Sequence, residues 1–108
     1  MADTNVVEML SGLQSSFVPD RSAGINASIQ LKLVGEPSGE AYVLIHDKQI
    51  EIQPGKVEKP KLTITGSAKD LVDIFSGKMD GASAYMMGRI GIVGDLSLAM
   101  RLESLFRR

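Results

Sequence analysis

The residue types that carry most enzyme chemistry are scarce in this chain of 108 residues. It contains one histidine and no cysteine, which excludes disulfide scaffolds, thiolate zinc sites, cysteine nucleophiles and multi-histidine metal centres. His46 adjoins Asp47, but neighbouring strand residues point to opposite faces, and no Gly-x-Ser-x-Gly elbow presents a serine nucleophile. Asp70 and Asp73 share a predicted helix, where solvated roles near its start suit them better than acid–base catalysis. We therefore predict no enzyme activity, no metal and no cofactor.

Two further sequence patterns could bind anions. Residues 88–94 (GRIGIVG) precede a predicted helix, but their spacing matches neither the dinucleotide fingerprint nor the Walker pattern, and Asp95 stands where the anion would sit. Glycines that let a strand and a helix pass closely explain this segment better. Lys56, Lys59 and Lys61 form a small basic group that is typical of a solvated edge, and contact with acidic head groups is the alternative.

The overall composition narrows the class of protein. Lys and Arg number 12 against 13 Asp and Glu, so the net charge of −1 argues against a dedicated nucleic-acid binder. No stretch approaches the ~18 consecutive apolar residues of a membrane span, and no signal peptide is visible. We therefore expect a cytoplasmic protein. Its apolar content is aliphatic and flexible, since it has 6 Met, no Trp and only 5% aromatic residues.

Hydrophobic periodicity predicts the secondary structure of the first half of the chain. Apolar residues recur at helical spacing from about residue 3 to residue 17, at Val6, Leu10, Leu13 and Phe17. Strict alternation over residues 25–33 predicts a strand with one buried face. The continuous apolar run 41–45 predicts a strand covered on both faces. A tight hairpin at Asp47 and Lys48 leads to a third strand, and a fourth strand includes Leu62 and Ile64.

The second half switches to helical spacing. Ser67, Asp80 and Asp95 are predicted N-caps of three helices. Gly77 and Gly88 end the first two, and a fifth strand covers residues 90–93 before the last helix, which runs to about residue 106. The order of elements predicts an α+β fold over residues 1–108 as one domain. It has about five strands in a mainly antiparallel sheet, with helices packed on one face.

The last helix has more apolar surface than one sheet contact needs. Its polar stripe is narrow, comprising Ser97, Arg101, Ser104 and Arg108. A helix lying on a sheet needs an apolar arc of about 100° or slightly more, so the surplus must face another helix, a partner chain or a ligand. The methionines of the middle helices suit an adaptable lining. An ordinary core with methionine as gap filler is the alternative.

Several strings now converge on one family. Residues 60–64 (PKLTI), 75–80 (FSGKMD), 84–90 (AYMMGRI) and 94–102 (GDLSLAMRL) resemble, in order, segments of the sterol carrier protein 2 (SCP2) lipid-binding domain. Without an attached enzyme domain or a peroxisomal tripeptide, the chain resembles a stand-alone member. The resemblance implies a five-stranded sheet whose helices enclose an apolar tunnel for fatty acids, fatty acyl-CoA, sterol-like or other lipophilic molecules.

This resemblance gives the apolar surplus a use. The expected cavity lining is Leu13, Phe17, Val72, Phe75, Met79, Tyr85, Met86, Leu96, Met100, Leu102 and Phe106. Arg89 and Arg101 are candidate cations for an acidic head group. The expected partners are a lipid or fatty acyl ligand and no nucleic acid, with transient membrane contact and a homodimer as further candidates. The alternative function is a non-catalytic accessory or interaction domain that dimerises or presents a lipophilic substrate to a separate enzyme.

Overall fold

The computed structural model describes residues 12–35 and 38–106. Five strands form one sheet: β1 (Ala27–Val34), β2 (Gly39–His46), β3 (Gln49–Pro54), β4 (Leu62–Ser67) and β5 (Gly91–Gly94). Three α-helices follow or separate the last two strands: α1 (Ala68–Phe75), α2 (Gly81–Met86) and α3 (Leu96–Leu102). Short 3-10 helices cover Gly12–Ser16, Pro19–Ser22 and Glu103–Leu105.

The sheet has the strand order β3-β2-β1-β4-β5. The pairs β1–β2, β2–β3 and β4–β5 are antiparallel, whereas β1 and β4 are parallel, with Leu31 opposite Ile64. This confirms the predicted α+β class and the mainly antiparallel sheet. The parallel pair arises because the chain crosses from the β3 edge and inserts β4 beside β1.

Local turn and cap signals are confirmed. Asp47 and Lys48 both have positive φ, 50° and 60°, which is the two-residue hairpin geometry that matches the twist of paired strands. Asp70 N–H donates to the Ser67 hydroxyl at 3.0 Å, and Asp80 and Asp95 cap α2 and α3 in the same way at 3.0 Å. Each cap satisfies a backbone donor that has no partner inside its helix.

The core lies between the helices and one face of the sheet. Ala41, Val43 and Ile45 of β2 are buried there, while Tyr42 and Leu44 on the opposite face are only partly buried. The prediction that β2 is covered on both faces is therefore wrong, because the helices cover one face only. On the other face, Gln30 is buried and donates to the carbonyl oxygens of residues 41 and 55 at 3.1 and 3.0 Å.

The segments at the two ends of the described chain meet. Phe17 and Phe106 form a β-bridge, and their rings lie 5.9 Å apart edge to face. Arg21 donates to the Ser104 carbonyl at 3.1 Å. Most of the predicted first helix, including Val6 and Leu10, falls outside the described residues, as does Arg108. Its described end, Gly12–Ser16, is a 3-10 helix. Within residues 12–35 and 38–106, no helix is long and apolar enough to cross a membrane.

Candidate functional site

An apolar pocket opens between the three α-helices and the β4–β5 end of the sheet. Its volume is about 290 Å³, close to the lower end of the range typical of small-molecule pockets. The lining comprises Ile64, Leu71, Ile74, Phe75, Gly81, Ala82, Tyr85, Met86, Ile90, Ile92, Leu96, Ala99, Met100 and Glu103. The wall is thus almost entirely aliphatic, aromatic and thioether, so it can bind apolar groups by burial.

The floor of the pocket follows from strand register. Ile64 of β4 lies opposite Ile92 of β5 in an antiparallel pair, so both side chains project toward the helices. Leu71, Ile74 and Phe75 come from the buried face of α1 and close the inner wall. These residues pack against one another as core residues do, and the pocket is therefore a continuation of the hydrophobic core.

A contact between α2 and the turn after α3 sets one side of the pocket. The Gly81 N–H donates to Glu103 Oε1 at 3.2 Å. A Cβ on residue 81 would approach Glu103 Oε2 to 2.6 Å, so glycine permits this close approach. Both residues line the pocket, and their contact therefore holds α2 at a defined distance from the end of α3.

The mouth of the pocket carries exposed apolar side chains. Met86, Met100 and Leu96 are 84%, 61% and 51% exposed, and Tyr85 is also exposed. An ordinary core would bury these residues, so the gap-filler alternative does not describe them. Methionine and leucine side chains at an open mouth can move to fit guests of different shapes.

The structure brings together some of the residues predicted to line a cavity. Phe75, Tyr85, Met86, Leu96 and Met100 line the pocket. The remaining residues lie elsewhere in or against the core: Leu13, Phe17, Leu102 and Phe106 are buried, and Val72 and Met79 are partly buried. Phe106 stands behind the pocket wall, with its ring 5.3 Å from that of Phe75. The enclosed tunnel stays a prediction, since the pocket described here is open.

Sequence reasoning missed most of the pocket wall. Ile64 and Ile92 were predicted as apolar residues of the fourth and fifth strands, and this pattern alone does not distinguish a core position from a pocket floor. Ala82 and Ala99 matter because they are small and leave space, a property with no periodic signal. Glu103 was not singled out, although it follows directly after the helix string of residues 94–102.

The two arginines predicted to meet a head group do not line the apolar pocket. Arg89 Nη2 lies 3.4 Å from Asp70 Oδ1, and this pair holds a nearly buried carboxylate at the start of α1. Arg101 lines a separate, polar cleft on another side of α3. Among the residues that the structure describes, no group of three or more His, Cys, Asp or Glu could hold a metal ion.

Comparison with known proteins places these features in a family. The family model described as SCP-2 sterol transfer family matches residues 8–107. The chain is 39% identical over 99 residues to sterol carrier protein 2 of Rattus norvegicus, covering 92% of this chain and 16% of that protein. It is 29% identical over 104 residues to hydroxysteroid dehydrogenase-like protein 2 of Bos taurus, covering 95% of this chain and 25% of that protein.

A solved structure supports the fold independently. The NMR structure of palmitated SCP2L2 from Aedes aegypti matches with a TM-score of 0.66 at 20% identity, covering 96% of this chain and 93% of that chain. At 20% identity, this similarity is evidence for the fold alone. The chain thus spans nearly all of a small structural neighbour, but only a quarter or less of the two longer relatives.

Proposed function

Because this chain belongs to the SCP-2 sterol transfer family, we propose that it binds the aliphatic part of a lipid in the apolar pocket and carries it through water. The observation that supports this most directly is the mouth, where Met86, Met100 and Leu96 are exposed next to an almost wholly apolar wall. Exposed apolar side chains around a groove are characteristic of binding sites. The molecule acts as a carrier without chemistry of its own.

The energetics favour loose selectivity. A chain of about ten buried methylenes contributes ~8 kcal/mol, at ~0.8 kcal/mol per methylene. Association costs about 4–15 kcal/mol, so the net affinity of a purely apolar ligand is modest. Shape and apolar burial are then the main determinants, which suits fatty acids, fatty acyl-CoA and sterol-like molecules alike. The palmitated form of the Aedes aegypti neighbour offers a precedent for an acyl chain on this fold.

The direct experiment is identification of what the purified chain holds. Native mass spectrometry is followed by organic extraction, and the delipidated protein is then titrated with palmitate, palmitoyl-CoA and cholesterol in a thermal-shift assay. A bound lipid, or a rise in melting temperature with at least one of the three, supports the proposal. A chain that carries no lipid and shows no thermal shift across this panel contradicts it.

An accessory or interaction domain is the second candidate. The longer relatives favour it, since this chain matches only a quarter of the hydroxysteroid dehydrogenase-like protein. A partner protein or a second copy of this chain would then cover the exposed apolar residues of the mouth. Light scattering across a dilution series separates the two functions: a permanent dimer that takes up no lipid favours the interface, and a lipid-binding monomer favours the carrier. The carrier proposal includes three further points. Residues 1–108 form one domain, the protein is cytoplasmic, and it contacts membranes transiently.

A further inference from the structure

We propose that a second, polar cleft beside α3 binds the phosphate group of an organic phosphate. This cleft has a volume of about 370 Å³ and lies where β1 and β4 begin, next to the start of α3. Its lining comprises the polar residues Asn26, Lys61, Asp95, Ser97 and Arg101 together with Gly24, Ile25, Ala27 and Leu98. It is distinct from the apolar pocket, which is lined by Leu96, Ala99 and Met100 on another side of the same helix.

Backbone hydrogen bonds anchor the wall of the cleft. Lys61 N–H donates to the Ser28 carbonyl at 2.9 Å, and the Lys61 carbonyl accepts from Asp95 N–H at 2.9 Å. The parallel strands β1 and β4 start at the same end of the sheet, and these bonds connect that end to the residue that caps α3. The backbone of Lys61 is therefore held at a fixed position in the wall of the cleft.

The two cations of the cleft are not used in ion pairs. Among the residues that the structure describes, Lys48, Lys56, Lys69 and Arg89 each form an ion pair with a carboxylate, whereas Lys61 and Arg101 form none. The carboxylate in the wall belongs to Asp95, and it accepts the Leu98 N–H at 3.0 Å as the helix cap. Two positive charges against one negative charge leave the wall with a net charge of +1.

The remaining polar groups suit a phosphate. The Ser97 hydroxyl and the Asn26 amide can donate to oxygen, and the Arg101 guanidinium offers a planar set of donors that fits phosphate oxygens. A water molecule occupies about 30 Å³ in the liquid, so a cleft of about 370 Å³ has room for a phosphate together with its organic group. Binding is by side chains, because the Asp95 carboxylate already occupies the start of α3.

Two sources could supply this phosphate, and they share the same recognition chemistry. One is a soluble phosphate ester that binds the cleft alone. The other is the head group of an amphiphile whose chain occupies the apolar pocket, since α3 forms a wall of both sites. The second source rests on the proposed lipid-carrier function, and the first does not.

Calorimetric titration of the full chain with glycerol 3-phosphate, dodecyl phosphate and dodecanol tests the inference. The test variant is Lys61→Gln with Arg101→Gln, and the control is Lys32→Gln with Lys78→Gln, which removes the same charge outside the cleft. All four positions are exposed, so folding should survive. We expect the test variant to bind both phosphates about tenfold more weakly or worse, since each charge-assisted hydrogen bond is strong, while the control changes by less than about twofold.

The three probes also separate the sources. Tighter binding of dodecyl phosphate than of glycerol 3-phosphate and dodecanol identifies a lipid head group, and equal binding of the two phosphates identifies a soluble ester. The inference is overturned if the wild-type chain binds neither phosphate, or if test and control variants lose the same affinity. Dodecanol reports on the apolar pocket alone, so its failure to bind counts against the carrier function and leaves the phosphate site standing.

Discussion

Gly81 and Glu103 connect two helices that border the pocket, because the Gly81 N–H donates to the Glu103 carboxylate and no side chain at residue 81 separates them. The two residues are 22 positions apart in the chain, so the contact belongs to the tertiary structure. It determines how closely α2 approaches the turn after α3. The absence of a Cβ at residue 81 lets the Glu103 carboxylate reach the backbone of α2 on that side of the pocket.

Gly81→Ala should lower the free energy of unfolding by about 1 kcal/mol, because the new Cβ displaces the Glu103 carboxylate and removes its bond to residue 81. Thermal and urea denaturation measure the loss. In a Glu103→Ala background the same substitution should be neutral or stabilising, since alanine is the better helix former by about 0.5–1 kcal/mol. If Gly81→Ala lowers the free energy of unfolding by the same amount with and without Glu103, loss of the contact is not the cause.

Met100→Arg should abolish uptake of an aliphatic ligand. The side chain lines the pocket and is 61% exposed at its mouth, so the charged head reaches water and the fold survives. Its stem and charge then occupy the entry of the apolar site. The matched control is Val93→Arg, at a position that is 73% exposed and outside the lining. Fluorescent fatty-acid titration should show loss in the first variant only; unchanged binding by Met100→Arg removes this residue from the site.

Gly94→Ala should destabilise the fold by about 3 kcal/mol or more. Gly94 has φ of 116°, and a Cβ there would collide with the Lys61 carbonyl and approach the backbone of Leu62, neither of which can move freely within the sheet. Gly91→Ala at the other end of β5 is the control, because its nearest neighbour would be a Thr65 atom at 3.8 Å. Denaturation curves should separate the two variants clearly, and equal stability of the two would contradict the packing argument.

Arg89→Ala should destabilise the protein by about 1–3 kcal/mol, because it leaves the nearly buried Asp70 carboxylate without its guanidinium partner. Half of the Arg89 side chain is exposed, so water moderates the effect. Adding Asp70→Asn should recover part of the loss, since the buried negative charge is removed as well. Lys48→Ala, which breaks the pair with the 92% exposed side chain of Asp20, should cost at most about 0.5 kcal/mol. If both single variants cost the same, the burial of Asp70 is not the determinant.

Short-range rules predicted the local structure well. Ser67, Asp80 and Asp95 cap the helices as expected, because a cap needs only a side-chain oxygen and the backbone three residues later. The strands followed from alternation for the same reason. The parallel pairing of β1 with β4 had no such signal, since it depends on where the chain inserts after the β3 edge.

The site was harder to predict than the fold. Helical periodicity identifies an apolar face, but it does not tell whether that face meets a core, a pocket or solvent. Leu102 and Met100 belong to the same predicted apolar surface, yet Leu102 is buried and Met100 stands at the mouth. Arg101 was predicted beside the lipid, and its position one residue further round the helix directs it to the polar cleft instead.

One of the two edge strands of the sheet, β5, is short, and this affects how the protein behaves at high concentration. β5 has four residues and glycine at both ends, and it lies at the sheet edge next to the greasy mouth. A long, flat edge strand at this position could pair with the edge strands of other copies and so lead to aggregation. A strand of four residues has few unpaired backbone groups. The exposed apolar residues of the mouth and the adjacent sheet edge therefore do not form a template for fibril growth.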